Sequence, residues 1–197
     1  AGVGPIAIWL TAEDRAGNKY SAGIDANSGK SDFTPGPVPA WNEDFSQHCS
    51  NWNQIFRITK EEVKSHVFGF RNVDPYDCDK IPENVKYWPA RNNPFWKEKF
   101  AFDLPDERLA SFIDVDNDGN YNPCAGDYPG FHNSCEIVEN FPNELWYWSI
   151  NDVAGVHRFS GGDAMQIHIN CYLFHYNIEK PVNDGVYFYF DVINQNE

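Results

Sequence analysis

The sequence predicts a mostly β protein: an antiparallel β-sandwich-like domain with long irregular loops and one or two short helices. Three observations carry this. Strand-favouring aromatics are dense, with 15 Phe, 10 Tyr and 7 Trp in 197 residues. Met occurs once and Leu is scarce, which argues against a helical bundle. The last third alternates apolar and polar residues with a period of two, as strands with one solvated face do.

Taken in order, Pro5–Leu10 and Lys19–Ile24 read as two strands joined by a hairpin, because Glu13-Asp-Arg-Ala-Gly-Asn18 is rich in turn formers. Residues 28–39 hold Gly29, Pro35, Gly36, Pro37 and Pro39 and read as an extended loop. Trp52–Ile58 is a short apolar run. Thr59-Lys-Glu-Glu62 is a capping box, so a helix is expected over Lys60–Val67. From residue 71 to 104 prolines interrupt every pattern, and aromatics such as Tyr76, Trp88, Trp96 and Phe102 pin the excursion down. A second short helix is expected near Pro105–Ala110.

Further on, Leu145–Ile150 is a strand. Ala164–Tyr176 is another, with Met165, Ile167, Ile169, Cys171 and Leu173 on one face and Gln166, His168 and Asn170 on the other. Val186–Ile193 follows, with Val186, Phe188, Phe190 and Val192 on one side. Asn183-Asp-Gly185 between the last two strands is a hairpin signal. The chain reads as a single β-rich domain over 1–197, with an irregular excursion over about 71–144.

Acidic residues outnumber basic ones 29 to 15, for a formal charge of −14. Such a surface repels phosphate backbones and argues against nucleic-acid binding. It suits a protein that holds divalent cations, or one that simply stays soluble in salt. No apolar run approaches the roughly 20 residues of a membrane helix. The first residues lack the basic start of a signal peptide, so the chain reads as a piece of a longer secreted protein.

Cys49, Cys78, Cys124, Cys135 and Cys171 form no C-x-x-C pair, which argues against a zinc ribbon or a thioredoxin-like site. The first four sit in loop-like sequence, where disulfides staple extracellular proteins. Cys124–Cys135 is the favoured pair and Cys49–Cys78 the next, although four cysteines allow three pairings. Cys171, within a strand pattern, reads as a buried free thiol.

The chemistry-bearing stretch is Asp114-Val-Asp-Asn-Asp-Gly119-Asn-Tyr-Asn122. Calcium takes six to eight oxygen ligands, and D-x-D-x-D-G wraps oxygens about it in a tight loop. Asp114, Asp116 and Asp118 supply carboxylates, Gly119 the sharp turn, Asn120 a carbonyl and Asn122 a further contact. An EF-hand would place Glu where Ala125 stands, and Pro123 forbids its exiting helix. A calcium loop over 114–127, closed by Asp127, is therefore expected without flanking helices. Magnesium suits so many carboxylates less well, because it keeps its waters. The alternative is an acidic surface turn without metal, in which three aspartates in five residues repel one another.

Other constellations carry less. His168 and His175 are seven apart and face opposite ways on one strand; His48, His66, His132 and His157 are scattered. Glu136, Glu139, Glu144 and Asp152 are candidate glycosidase carboxylates, but sequence says nothing of their separation. No G-x-S-x-G, H-E-x-x-H or P-loop occurs, and no catalytic residues are assigned. Trp146 and Trp148 share a strand face and could stack on sugar rings, or belong to the core.

Several motifs recur together: W-L-x-x-x-D-x-x-G (Trp9 to Gly17), D-F-x-P-G-P (Asp32 to Pro37), C-x-x-W-x-x-I-F-x-I-T-x-E-E-V (Cys49 to Val63), W-P-A (Trp88 to Ala90), F-I-D-V-D-N-D-G-x-Y-x-P-x-x-G-D-Y-P (Phe112 to Pro129) and L-W-Y-W-S-I-N-D (Leu145 to Asp152). The chain thereby resembles a family of large secreted Bacteroidetes proteins that carry a type IX secretion sorting domain at their far C-terminus. The resemblance spans nearly the whole chain. It implies export to the cell surface or medium, supports Asp114, Asp116, Asp118 and Asp127 as the calcium set, and implies no enzymatic activity. The expected function is an extracellular, calcium-stabilised structural or adhesive module of a surface or filamentous assembly. Its expected partners are other protein subunits, including copies of itself in an oligomer or polymer, or surface polysaccharide. The alternative is a secreted protein that binds or degrades polysaccharide.

Overall fold

The computed structural model describes residues 7–40, 43–73, 75–131, 138–153, 157–177 and 185–195. The paired strands are antiparallel and the protein is mostly β. Pro5, Ile6, His132, Cys135, Glu136 and the Asn183-Asp184 part of the expected hairpin turn lie outside the described residues. The chain divides into two compact units, one of residues 1–54, 148–171 and 190–197, the other of residues 55–147 and 172–189.

The first unit begins with the expected hairpin, although its first strand runs from Trp9 to Glu13, later than the expected Pro5–Leu10. Strand β1 (Trp9–Glu13) pairs with β2 (Lys19–Asp25), from Trp9 opposite Gly23 to Glu13 opposite Lys19. The Asp14 carboxylate shapes the turn by accepting the amides of Ala16 at 2.8 Å and Asn18 at 2.9 Å. Strand β3 (Lys30–Ser31) adds to β2. Strand β4 (Thr34–Pro35) pairs with the far end of β8 (Glu144–Asn151), Thr34 opposite Asn151. Ala22, Phe33, Met165, Ile167, Ile169 and Cys171 form this unit's apolar core.

Helix α1 (Phe45–Trp52) is an element the sequence reading missed. Its signal is Asp44-x-x-Gln47: the Asp44 carboxylate accepts the Gln47 amide at 2.8 Å, capping the helix. The helix lays His48 and Trp52 on the Pro35-Gly36-Pro37 turn. Gly36 has φ +96°, and a Cβ there would lie 2.6 Å from His48 Nε2 and 2.7 Å from Trp52 Cγ.

The second unit is built on β5 (Phe56–Thr59), which pairs with the near end of β8, Ile58 opposite Leu145. The capping box then starts α2 (Lys60–Asn72), longer than the sequence suggested. Thr59 Oγ1 accepts the Glu62 amide, and Glu62 accepts the Thr59 amide at 2.9 Å. The irregular segment adds short helices α3 (Glu83–Lys86) and α4 (Trp96–Phe100). Its aromatics are core: Trp88 and Tyr121 are buried with Ile58, Val63, Val85, Leu145, Tyr147 and Tyr172. Trp96 is buried too and stacks on Phe100, with ring centroids 4.0 Å apart. Each fully buried large side chain contributes about 1.5–3 kcal/mol.

Three expectations are corrected. No helix forms at Pro105–Ala110, which holds bends instead. So short a helix rarely outweighs its nucleation cost, the Asp106 carboxylate is held by Arg91 at 2.8 Å, and the Ala110 amide donates to Pro89 O at 3.2 Å. Strand β9 (Ile167–His175) lacks a solvated polar face. It lies between β8 and β10 (Tyr187–Asn194), and His168 and Asn170 are buried along with the apolar set. On β10 the inward phase shifts after Phe190, so Val192 is exposed rather than packed beside Phe188 and Phe190.

Gly36→Ala is expected to lower stability by about 2–4 kcal/mol in urea unfolding, because it adds left-handed strain to overpacking against His48 and Trp52.

Candidate metal centre

A two-residue ladder in the second unit sets the geometry of the acidic loop. Strand β6 (Phe112–Ile113) pairs with β7 (Tyr128–Pro129), Ile113 opposite Tyr128. The antiparallel register places the next residue out on each side, Asp114 and Asp127, across from one another. Between them the chain reverses through Asn117, at φ 59°, and Gly119, at φ +81°. Both angles are in the left-handed region that Gly and Asn adopt at least cost.

The base of the loop is tied down. Tyr121 is fully buried and donates its hydroxyl to Val85 O at 2.6 Å, while its amide donates to Arg91 O at 2.8 Å. Trp88 Nε1 donates to Ser111 O at 3.1 Å. Gly126, at φ +104°, lets the chain pass Phe70, which would stand 2.5 Å from a Cβ. His66 Nε2 lies 2.9 Å from Asp127 O, which fixes the backbone of the closing residue.

Asp127 is buried, and its carboxylate accepts Val115 N and Asn122 N, each at 2.7 Å. Asp114 accepts the amides of Gly119 at 2.8 Å and Asp118 at 3.2 Å. One carboxylate oxygen each from Asp114, Asp116 and Asp127 lie within 4.8 Å of one another. Calcium–oxygen distances are 2.3–2.6 Å, so oxygens on opposite sides of the ion stand up to about 5 Å apart, and three oxygens within this limit can share one ion.

Asp118, Asn120 and Asn122 stand outside that trio. Asp118 Oδ1 accepts the Asn120 amide at 2.7 Å, Asn120 Oδ1 accepts from Asn92 at 2.6 Å, and Asn122 Oδ1 caps the turn at Cys124 N at 3.1 Å. Burial pushes the Asp127 carboxyl up to about 6; its two amide donors oppose the rise and the charges of Asp116 and Asp114 add to it.

The cysteine pairing is corrected. Cys124, in the loop, is bonded to Cys78, with Cα atoms 5.5 Å apart, rather than to Cys135, so Cys49–Cys78 does not form either. The 3-10 turn Cys78–Lys80 is brought to the turn Pro123–Ala125 by the packing of the second unit, across a sequence separation of 46. Cys49 is a half-buried free thiol, and Cys171 a buried one whose environment pushes it up to about 12. Trp146 and Trp148 are each half-buried. Trp146 packs against His175 at 5.9 Å, and Trp148 packs against the first unit's apolar core.

Asp127→Asn turns an amide group toward a backbone N–H, so it is expected to cost about 2–4 kcal/mol even in chelator; Asp114→Asn, at the half-exposed position, is expected to cost less, and urea unfolding in EGTA ranks the two. Below a pH of about 6 the folded loop holds a proton on Asp127 which a cation must displace. Cation affinity is therefore expected to fall, by up to about tenfold per pH unit, as pH drops below about 6, which isothermal titration at pH values on both sides reads directly.

No protein-family model matches the chain, and no curated protein or solved structure matches it either.

Proposed function

We propose that this chain binds calcium through Asp114, Asp116 and Asp127, and serves as an extracellular, calcium-stabilised structural or adhesive module of a bacterial surface or filamentous assembly. The observation that carries the reading is the convergence of three carboxylates within 4.8 Å, one of them buried. Gathering negative charge costs free energy that a divalent cation offsets. One further observation supports it. The Cys78–Cys124 disulfide reaches into the same loop, and such bonds belong to oxidising compartments outside the cytosol. No described helix is long and apolar enough to cross a membrane. The role of the ion is structural, because the loop's backbone is pinned at Tyr121, Gly126 and Asp127. Its partners in this reading are other subunits, including copies of itself, and the sequence resemblance supplies the secretion route.

Calcium at about 100 times its Kd is expected to stabilise the protein by about 2.7 kcal/mol, a rise in Tm of about 5–10 °C for a chain of this size. Differential scanning calorimetry in calcium and in EGTA measures it. An unchanged melt, or an equal rise with Asp116→Asn, defeats the calcium reading. Electron microscopy of the calcium-loaded protein in its native source tests the assembly role, and dispersed monomers with no surface location count against it.

A further inference from the structure

We infer that His157 is a buried imidazolium, and that its proton locks the first unit together. The ring is buried, with Nδ1 2.6 Å from Ser21 O and Nε2 2.7 Å from Asp152 O. Backbone carbonyl oxygens only accept, so both ring nitrogens must donate, and a neutral imidazole has one N–H. Removing the second proton sets a nitrogen lone pair against a carbonyl oxygen at a buried position.

The surroundings supply the counter-charge. Two titratable groups face the ring: Asp152, just past the end of β8, with Oδ2 3.8 Å from Nε2, and Asp32, between β3 and β4. Both carboxylates are buried. Among the described residues no lysine or arginine pairs with either. His157 is thus the described basic side chain that both buried carboxylates act on. Arg158, its chain neighbour, is exposed.

The lock joins separate stretches of chain. Asp152 accepts the amides of Met165 at 2.6 Å and Ile167 at 2.8 Å. Asp32 accepts those of Gly23 at 3.1 Å, Phe159 at 2.8 Å and Ser160 at 3.0 Å. Ser160 Oγ donates to the same Ser21 carbonyl as His157, at 2.8 Å. Strand β2, the end of β8, the start of β9 and the segment at 157–160 therefore meet around one proton. Burial alone would drive that proton off; the two carbonyls and two carboxylates outweigh it and hold the ring above the ordinary histidine range. For a base held above its unfolded value, the stabilisation is complete below that value, about 6.5, and is lost as pH rises through the folded one.

The test is site-specific nitrogen NMR of the imidazole rings in the intact chain, joined to amide hydrogen exchange. Across a pH titration, His157 is expected to keep both ring protons to a higher pH than an ordinary histidine, whose value is about 6.5. Exchange at Gly23, Phe159, Ser160, Met165 and Ile167, corrected for its intrinsic rate, is expected to rise about tenfold or more as the second proton leaves. His157→Gln offers no second positive donor and is expected to remove that step. A second proton lost at or below the ordinary histidine value, or a step that survives His157→Gln, overturns the inference. If the variant does not fold, the wild-type titration decides alone. Because His48 and His168 are also buried in this unit, the ring resonances must be assigned individually.

Discussion

Asp127 is the residue on which the second unit's acidic loop depends. An ionised carboxylate in a protein interior is costly unless its oxygens are met by donors or a cation. Here two backbone amides, from Val115 and Asn122, meet it directly. Those amides belong to the two limbs of the loop, so the same bonds that solvate the charge also close the loop. The cost of burial still outweighs them, and the nearby charges of Asp116 and Asp114 add to it.

The first unit solves its folding problem in a related way. Its strands are short and its connections long, so many backbone amides lack a ladder partner. Buried polar side chains satisfy backbone groups instead: Asp32 accepts three amides and Asp152 two, while the Asn151 side chain donates to the carbonyls Gly36 O and Pro37 O at 3.0 Å each. Almost every buried backbone group must find a partner. In this chain side chains stand in for regular secondary structure. That explains how a sequence so interrupted by proline and glycine is ordered, and why acidic residues are found in its interior.

Local signals were legible wherever a few adjacent residues decide the outcome. The capping box at Thr59–Glu62 needs nothing beyond its own four residues. The β1–β2 hairpin follows from Asp14, Gly17 and Asn18. The D-x-D-x-D-G spacing marked the acidic loop, although of its three tightly spaced aspartates only Asp114 and Asp116 join Asp127. Asp44-x-x-Gln47 carried the same kind of signal for α1, hidden in a segment without clear periodicity.

The disulfide partner of Cys124 was not legible, because the packing of the second unit brings it from 46 residues away. The same holds for the polar face of β9: alternation separates two faces but does not say that both are buried, as His168 and Asn170 are. His157 looks ordinary in sequence, since its significance lies in two carbonyls from distant strands. By itself, then, the sequence determined the β class, the cap, the first hairpin and the acidic loop, all matters of backbone preference within a few residues. Tertiary structure alone decided which cysteines meet, which carboxylates converge and which polar groups are buried, because those depend on chain segments whose encounter is governed by packing.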